Sequence, residues 1–195
     1  MVPMAKTRIL ITRHAKTAWN KERRIQGRTD IPILPESKEE TKIFAQSIKH
    51  HNIKTIYTST LTRTIQTGKI IQETLDIENL VSIDDLKERS YGKFEGKLWE
   101  EITDKFNKIE MDKEKARKTG VEHGEEFQKR IINALTKISN NHPNETILVV
   151  CHGGNIRSLL KFLDKDKPKT HIPNNSLFIL EFENGKLTLI DSPNT

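Results

Sequence analysis

Cysteine is scarce in this sequence: Cys151 stands alone among 195 residues. An internal disulfide framework is therefore excluded, and a reducing compartment fits. Aromatic residues make up only 6%, and no basic cluster is interleaved with them. That removes the stacking platforms of nucleic-acid binders. Long apolar runs are missing as well. Ile9–Ile11 is far too short for a signal or membrane segment, so a soluble, cytoplasmic protein with no membrane partner is expected. The absence of repeats, low-complexity tracts and linker-like stretches predicts one domain over residues 1–195. The seven histidines show no ligand-type spacing with carboxylates or cysteine. Metal-dependent hydrolysis thus lacks a ligand set, and no metal or other cofactor is expected.

What is present is a globular composition, 34% hydrophobic and 31% charged, with a net charge of +6. The positive balance favours anionic ligands, although lysine-rich solvated faces give the same number. Thr7–Thr12 reads as a buried strand and Ile53–Thr58 as a second. Glu36–His51 has helical spacing at Ile43, Phe44 and Ile48. Thr60–Leu75 is expected to turn Ile65, Ile70 and Ile71 inward. Val81–Leu86 is a short extended piece. Residues 97–118 are helical in propensity and dense in charge, which reads as a solvated surface helix. Gly124–Asn140 repeats apolar residues at Phe127, Ile131, Leu135 and Ile138. Thr146–Cys151 is a strongly apolar strand, and Asn155–Leu163 is the helix after it. Leu177–Phe182 and Lys186–Ile190 form a hairpin over Asn184-Gly185. Strands alternating with helices predict an α/β three-layer sandwich: a mostly parallel central sheet, helices on both faces and a C-terminal hairpin.

In such sheets, ligands bind beyond the carboxyl ends of the strands. Arg13-His14 follows the first strand, Ser59 to Arg63 the second, and His152-Gly153-Gly154 the strand ending at Cys151. Two histidines, two arginines and a glycine pair thus converge where a backbone can approach an anion. Guanidinium forks match phosphate oxygens in pairs, and a neutral imidazole is a competent nucleophile. A rival lies in the same loop. Cys151 and Arg157 have the spacing of cysteine-dependent phosphatases, but Val150 stands where those enzymes usually place a histidine. That mechanism also leaves Arg13, His14, Arg63 and Glu88 without a role.

The motif Ile11-Thr12-Arg13-His14-Ala15-x-Thr17 resembles the signature that opens the histidine phosphatase superfamily, with Ala15 where glycine is usual. Gln26-Gly27-x-x-Asp30-x-Pro32, Ser59-x-x-x-Arg63-x-x-Gln66-Thr67, Leu86-x-Glu88-x-x-x-Gly92-x-Phe94-Glu95-Gly96, Gly124-Glu125 with Arg130, and Cys151-His152-Gly153-Gly154 resemble its further blocks, in family order. The resemblance implies a phosphomonoesterase acting on a small phosphorylated metabolite. His14 would be phosphorylated, Arg13, Arg63 and His152 would clamp the phosphoryl group, and Glu88 would be general acid and then base. Asn20 and the N–H of Gly153 would add donors, and Gln26-Gly27 would line the substrate site. Glu95 is expected to shape its loop. His123 is expected at the surface or beside the substrate entrance. Two alternatives stand beside hydrolysis. A cofactor-dependent phosphoglycerate mutase usually has a longer insertion than the stretch from Arg89 to Cys151. A phospho-ligand binding module without catalysis would not need the intact set of residues. The expected partner is a small-molecule phosphate ester. No motif selects which ester, or an oligomeric state.

Overall fold

The computed structural model describes residues 5–164 and 171–193; the opening Met1–Met4 lies outside them. Among the described residues, Thr7–Arg13 (β1), Thr55–Thr58 (β2), Asn79–Ser82 (β3), Thr146–Cys151 (β4), Leu177–Glu183 (β5) and Lys186–Asp191 (β6) form one sheet in the order β3-β2-β4-β1-β5-β6. The first four in that order run parallel, and β5 and β6 are antiparallel additions at one edge. Asn184 (φ 53°) and Gly185 (φ 76°) make the turn between them, with both residues in the positive-φ conformation that Asn-Gly supplies cheaply.

Parallel strands covered on both faces read as near-continuous apolar runs, and β4 is such a run, TILVVC. Successive side chains alternate between two cores. Ile9, Ile11, Ile147, Val149 and Cys151 face α6 (Gly124–Asn140) and α7 (Gly153–Leu163). Leu10, Ile56, Leu148 and Val150 face α2 (Ser37–Ile48) and α3 (Thr62–Leu75). Helix α6 buries Phe127, Ile131, Leu135 and Ile138, the stripe expected from its spacing.

Two helical faces differ from expectation. Ile43 of α2 is 65% exposed, and the expected Ile48 is buried beside Ser37, Thr41 and Ala45. Helix α3 buries Arg63, Thr64, Thr67, Gly68 and Ile71, while Ile65 and Ile70 are half-buried. The reason is proximity: a Cβ on Gly68 would come within 2.6 Å of Thr58 Cγ2. The helix approaches β2 too closely for a bulky inner residue.

The expectation of a solvated helix over residues 97–118 is also corrected. The segment forms α4 (Trp99–Glu110) and α5 (Lys113–Lys118). Ile102, Phe106 and Ala116 are buried with Ile25, Phe94 and Val121 in a third, smaller core. Tyr91, Trp99 and Phe106 pack ring against ring, edge-on or tilted, at its edge.

Parallel pairing brings the C-terminal ends of β2, β4 and β1 to one edge, with Arg13 opposite Cys151 and Thr58 opposite Val150. His14, Ser59 and His152 are the next residues on the three strands. The His14 N–H donates to the Cys151 carbonyl at 3.0 Å, carrying the ladder one step beyond the strands.

Candidate active site

His14 is buried. Its Nδ1 lies 2.7 Å from the Ala15 carbonyl oxygen. A carbonyl only accepts, so Nδ1 carries the proton and Nε2 keeps its lone pair. Burial, then the charges of Arg63 and Arg13, hold the imidazole pKa well below its ordinary value. The ring is a neutral base with one free nitrogen. Its backbone is fixed by Asn174 Nδ2, which donates to the His14 carbonyl at 2.7 Å. Thr67 Oγ1 accepts the Ala15 N–H at 3.0 Å.

Arg63 is fully buried. Its Nη1 donates to the Thr29 carbonyl at 2.9 Å, and its Nη2 to the Gly27 carbonyl at 2.7 Å. Its Nε donates to His152 Nδ1 at 3.2 Å. A guanidinium carries five N–H bonds, so one remains on each Nη. Gly27 has φ +54°, which turns its carbonyl onto Arg63.

His152 stands with its ring centroid 5.3 Å from that of His14. Because Nδ1 accepts from Arg63, Nε2 bears the proton and donates to Ser59 Oγ at 2.8 Å. Burial first, then the Arg63 charge, lowers its pKa well below the ordinary range. Both ring nitrogens thus have protein partners, and a bond from His152 to a phosphoryl oxygen requires exchanging one of them. In the geometry present, the ring orients Arg63.

Arg13 donates from Nη1 to the Ile172 carbonyl at 2.6 Å, and its Nε is buried without a partner. Burial, then the neighbouring Arg157, pushes its pKa down to about 10. Glu88 reaches the first turn of α7: its Oε2 accepts from the Gly154 N–H at 3.0 Å, and its Oε1 from the Arg89 N–H at 2.9 Å. A Cβ at Gly154 would overlap Glu88 Oε1, so that glycine makes the carboxylate's seat.

The remaining expected residues have clear positions. Asn20 lies in α1 (Ala18–Lys21), where its carboxamide oxygen accepts from the Thr17 N–H as half of a capping box. Gln26 is buried, and its Oε1 has no partner. Glu95 accepts from the N–H groups of Arg28, Thr29 and Tyr91 and from Thr29 Oγ1. It organises the loop, as its sequence context suggests. His123 caps α6, its Nδ1 accepting from the Glu125 N–H at 3.3 Å. Cys151 is buried, and burial raises its thiol pKa far above the ordinary value. A thiolate nucleophile is strongly disfavoured there.

One contributor escapes sequence reasoning, and two more, Arg130 and Asp30, stand in the matched blocks without a role assigned to them. Asn174 is more than 150 residues from its partner, and no periodicity announces it. Arg130 donates to the carbonyls of Asp85 and Lys87 and pairs with Glu122 at 2.8 Å, holding the segment before Glu88. Asp30 caps α3 through the Thr62 N–H at 2.8 Å, an aspartate signal present within the Gln26–Pro32 block.

A doubly covered, mostly parallel sheet with a neutral histidine, a buried arginine and a half-buried one at its strand ends defines a phosphoryl-transfer protein. Comparison with known proteins places it further. Residues 9–195 match the family described as Histidine phosphatase superfamily (branch 1). The chain is 32% identical over 189 residues to the uncharacterized phosphatase PhoE of Bacillus subtilis, covering 95% of this chain and 93% of that one. It is 27% identical to the metal-independent phosphoserine phosphatase of Arabidopsis thaliana, covering 95% and 80%. The crystal structure of a phosphoglycerate mutase from Bacillus anthracis superposes with a TM-score of 0.84 at 26% identity, covering 97% and 93%. The chain belongs to the histidine phosphatase superfamily, and it is a phosphatase.

Proposed function

We propose that this single domain hydrolyses monoesters of small phosphorylated metabolites, without a metal ion, through a phosphohistidine on His14. The reading rests on one observation above all: His14 is held neutral with Nε2 free, beneath Arg13 and Arg63. Nε2 attacks phosphorus in line, the N–P bond forms, and the ester P–O bond breaks. Glu88 gives its proton to the departing oxygen. Glu88, now a carboxylate, takes a proton from water, whose oxygen attacks phosphorus while the N–P bond breaks. Inorganic phosphate leaves, and both residues return to their starting states. The free N–H groups of Arg13 and Arg63 stabilise charge on the transferring oxygens. Asn20 and the Gly153 N–H add donors, and Gln26 with Gly27 borders the substrate.

Hydrolysis is favoured over mutase chemistry by the short cap between Glu88 and His152, two helices packed on one small core. A catalytically silent binding module would have no need of the His14 tautomer or of Glu88. No helix among the described residues is long and apolar enough to cross a membrane; with the lone buried cysteine, this supports a cytoplasmic location.

Rapid quenching with a labelled ester tests the reading. An acid-labile, alkali-stable phosphoryl group on His14, lost in His14→Ala together with turnover, is expected. Label on Cys151, or full activity lost to a chelator and restored by Mg²⁺, overturns it.

A further inference from the structure

Arg157 belongs to none of the interactions that support the phosphoryl site. It lies one helical turn after Gly153 on α7, so the two share a face. The side chain is exposed, and among the described residues it has no hydrogen bond or ion pair. The cysteine-dependent chemistry that its spacing from Cys151 suggests has no basis in this fold, because that thiol is buried and held protonated.

Its position is specific nonetheless. A Cβ built on Gly153 would lie 3.4 Å from Arg13 Nε and 3.5 Å from Arg157 Nη1. Both guanidinium groups therefore stand beside Gly153 at the start of α7. The Arg13 Nε is buried and unpartnered, and the Arg157 side chain is exposed. The charge of Arg157 is felt at Arg13 and at Tyr91, whose phenol also senses Glu88. Arg157 therefore lies near both Arg13 and the Tyr91 side of the site.

Charge matching narrows the occupant. Arg13 and Arg63 answer the phosphoryl group, which leaves one uncommitted cation beside it. A single negative charge complements that cation, and a guanidinium fork fits a planar carboxylate bidentately. Because both guanidinium groups stand beside Gly153, a carboxylate on Arg157 lies close to a phosphoryl group on Arg13. We propose that Arg157 is a specificity-determining residue that binds a carboxylate carried by the substrate near its phosphate ester. The inference rests on the phosphomonoesterase reading above and selects a substrate class within it.

The test uses the full chain and two probes of similar size, phosphoglycolate and ethyl phosphate, which differ in the carboxylate. The wild type is expected to prefer phosphoglycolate. Arg157→Gln should raise the phosphoglycolate KM about tenfold or more relative to that of ethyl phosphate, the loss expected for a charge-assisted bond. Arg157→Lys should restore part of the difference. Equal changes for both probes, or no wild-type preference, overturn the proposal. Turnover of ethyl phosphate reads the phosphatase assignment separately. If neither probe is turned over, that assignment fails, and calorimetry on His14→Ala still decides this one. Tighter binding of phosphoglycolate that vanishes with Arg157→Gln supports it, and equal binding of the two probes refutes it.

Discussion

Alanine at Gly154 perturbs one carboxylate and little else. The added Cβ would overlap Glu88 Oε1 and lie 2.9 Å from its Cδ. Both atoms belong to the far end of a flexible side chain, so the carboxylate yields rather than the helix. Ordinary contact begins near 3.4 Å, so the carboxyl group must retreat by about 1 Å, a misplacement that can cost roughly 10²-fold in rate. The full worth of a positioned acid is about 10²–10⁴-fold, which sets the ceiling. Gly→Ala within a helix is itself favourable by up to about 1 kcal/mol, which offsets the disturbance at Glu88 and leaves the melting temperature within a few degrees of wild type. We expect kcat/KM for ethyl phosphate to fall about 10²-fold in Gly154→Ala. The loss for p-nitrophenyl phosphate, whose phenolate departs without a proton, should be smaller. Gly153→Ala is the comparison one residue away: its Cβ meets nothing nearer than 3.4 Å and Glu88 keeps its bond to the Gly154 N–H, so any loss it causes beside Arg13 should be alike for the two esters. Steady-state kinetics with both esters, beside thermal melts, reads the outcome. Unchanged ethyl phosphate hydrolysis in Gly154→Ala, or equal losses with both esters when phosphorylation limits each, would refute the role given to Glu88.

Four further expectations follow from the groups of the site and its loop. His14 and His152 are neutral in the fold with pKa values well below the ordinary 6.5; the unfolded chain therefore binds more protons below about pH 6.5, and stability must fall as pH falls from 7 to 5.5. Melting temperatures across that range check the sign, and replacing both histidines with glutamine should flatten the slope. Arg13→Gln removes one of the charges that keep His14 unprotonated, so the acid limb of its pH–rate profile should move upward. Cys151→Ala should keep most of the activity, and iodoacetamide should leave the native enzyme active at pH 8, because the thiol is buried and its pKa raised. Glu95→Gln replaces an acceptor of four donors. A loss of about 1–3 kcal/mol for the unsatisfied groups is expected in denaturant melts.

The frame was legible because its signals are local. Helix α6 begins and ends where its apolar period does, and the β5–β6 hairpin turns where Asn184-Gly185 predicts. The strand ends were legible because motif residues cluster there. What escaped was decided across the fold. Ile65 and Ile70 lost the inner face of α3 to threonine and glycine because β2 approaches so closely, a fact about distance that no helical period contains. The buried stripe of α4 is short, Ile102 and Phe106, and charged neighbours mask it. The second bond of His152 to Ser59 and the grip of Asn174 on His14 join residues whose separation in sequence carries no pattern.

The third core has a consequence for how such a protein changes over generations. Ile25, Phe94, Ile102, Phe106, Ala116 and Val121 pack together apart from the two clusters that clasp the sheet. Substitutions among them act first on the cap, while the strands that end at His14 and His152 draw on other residues for their rigidity. A lineage can thus revise what it admits to the site without renegotiating the apparatus that breaks the bond, and one architecture can be handed from one metabolite to the next.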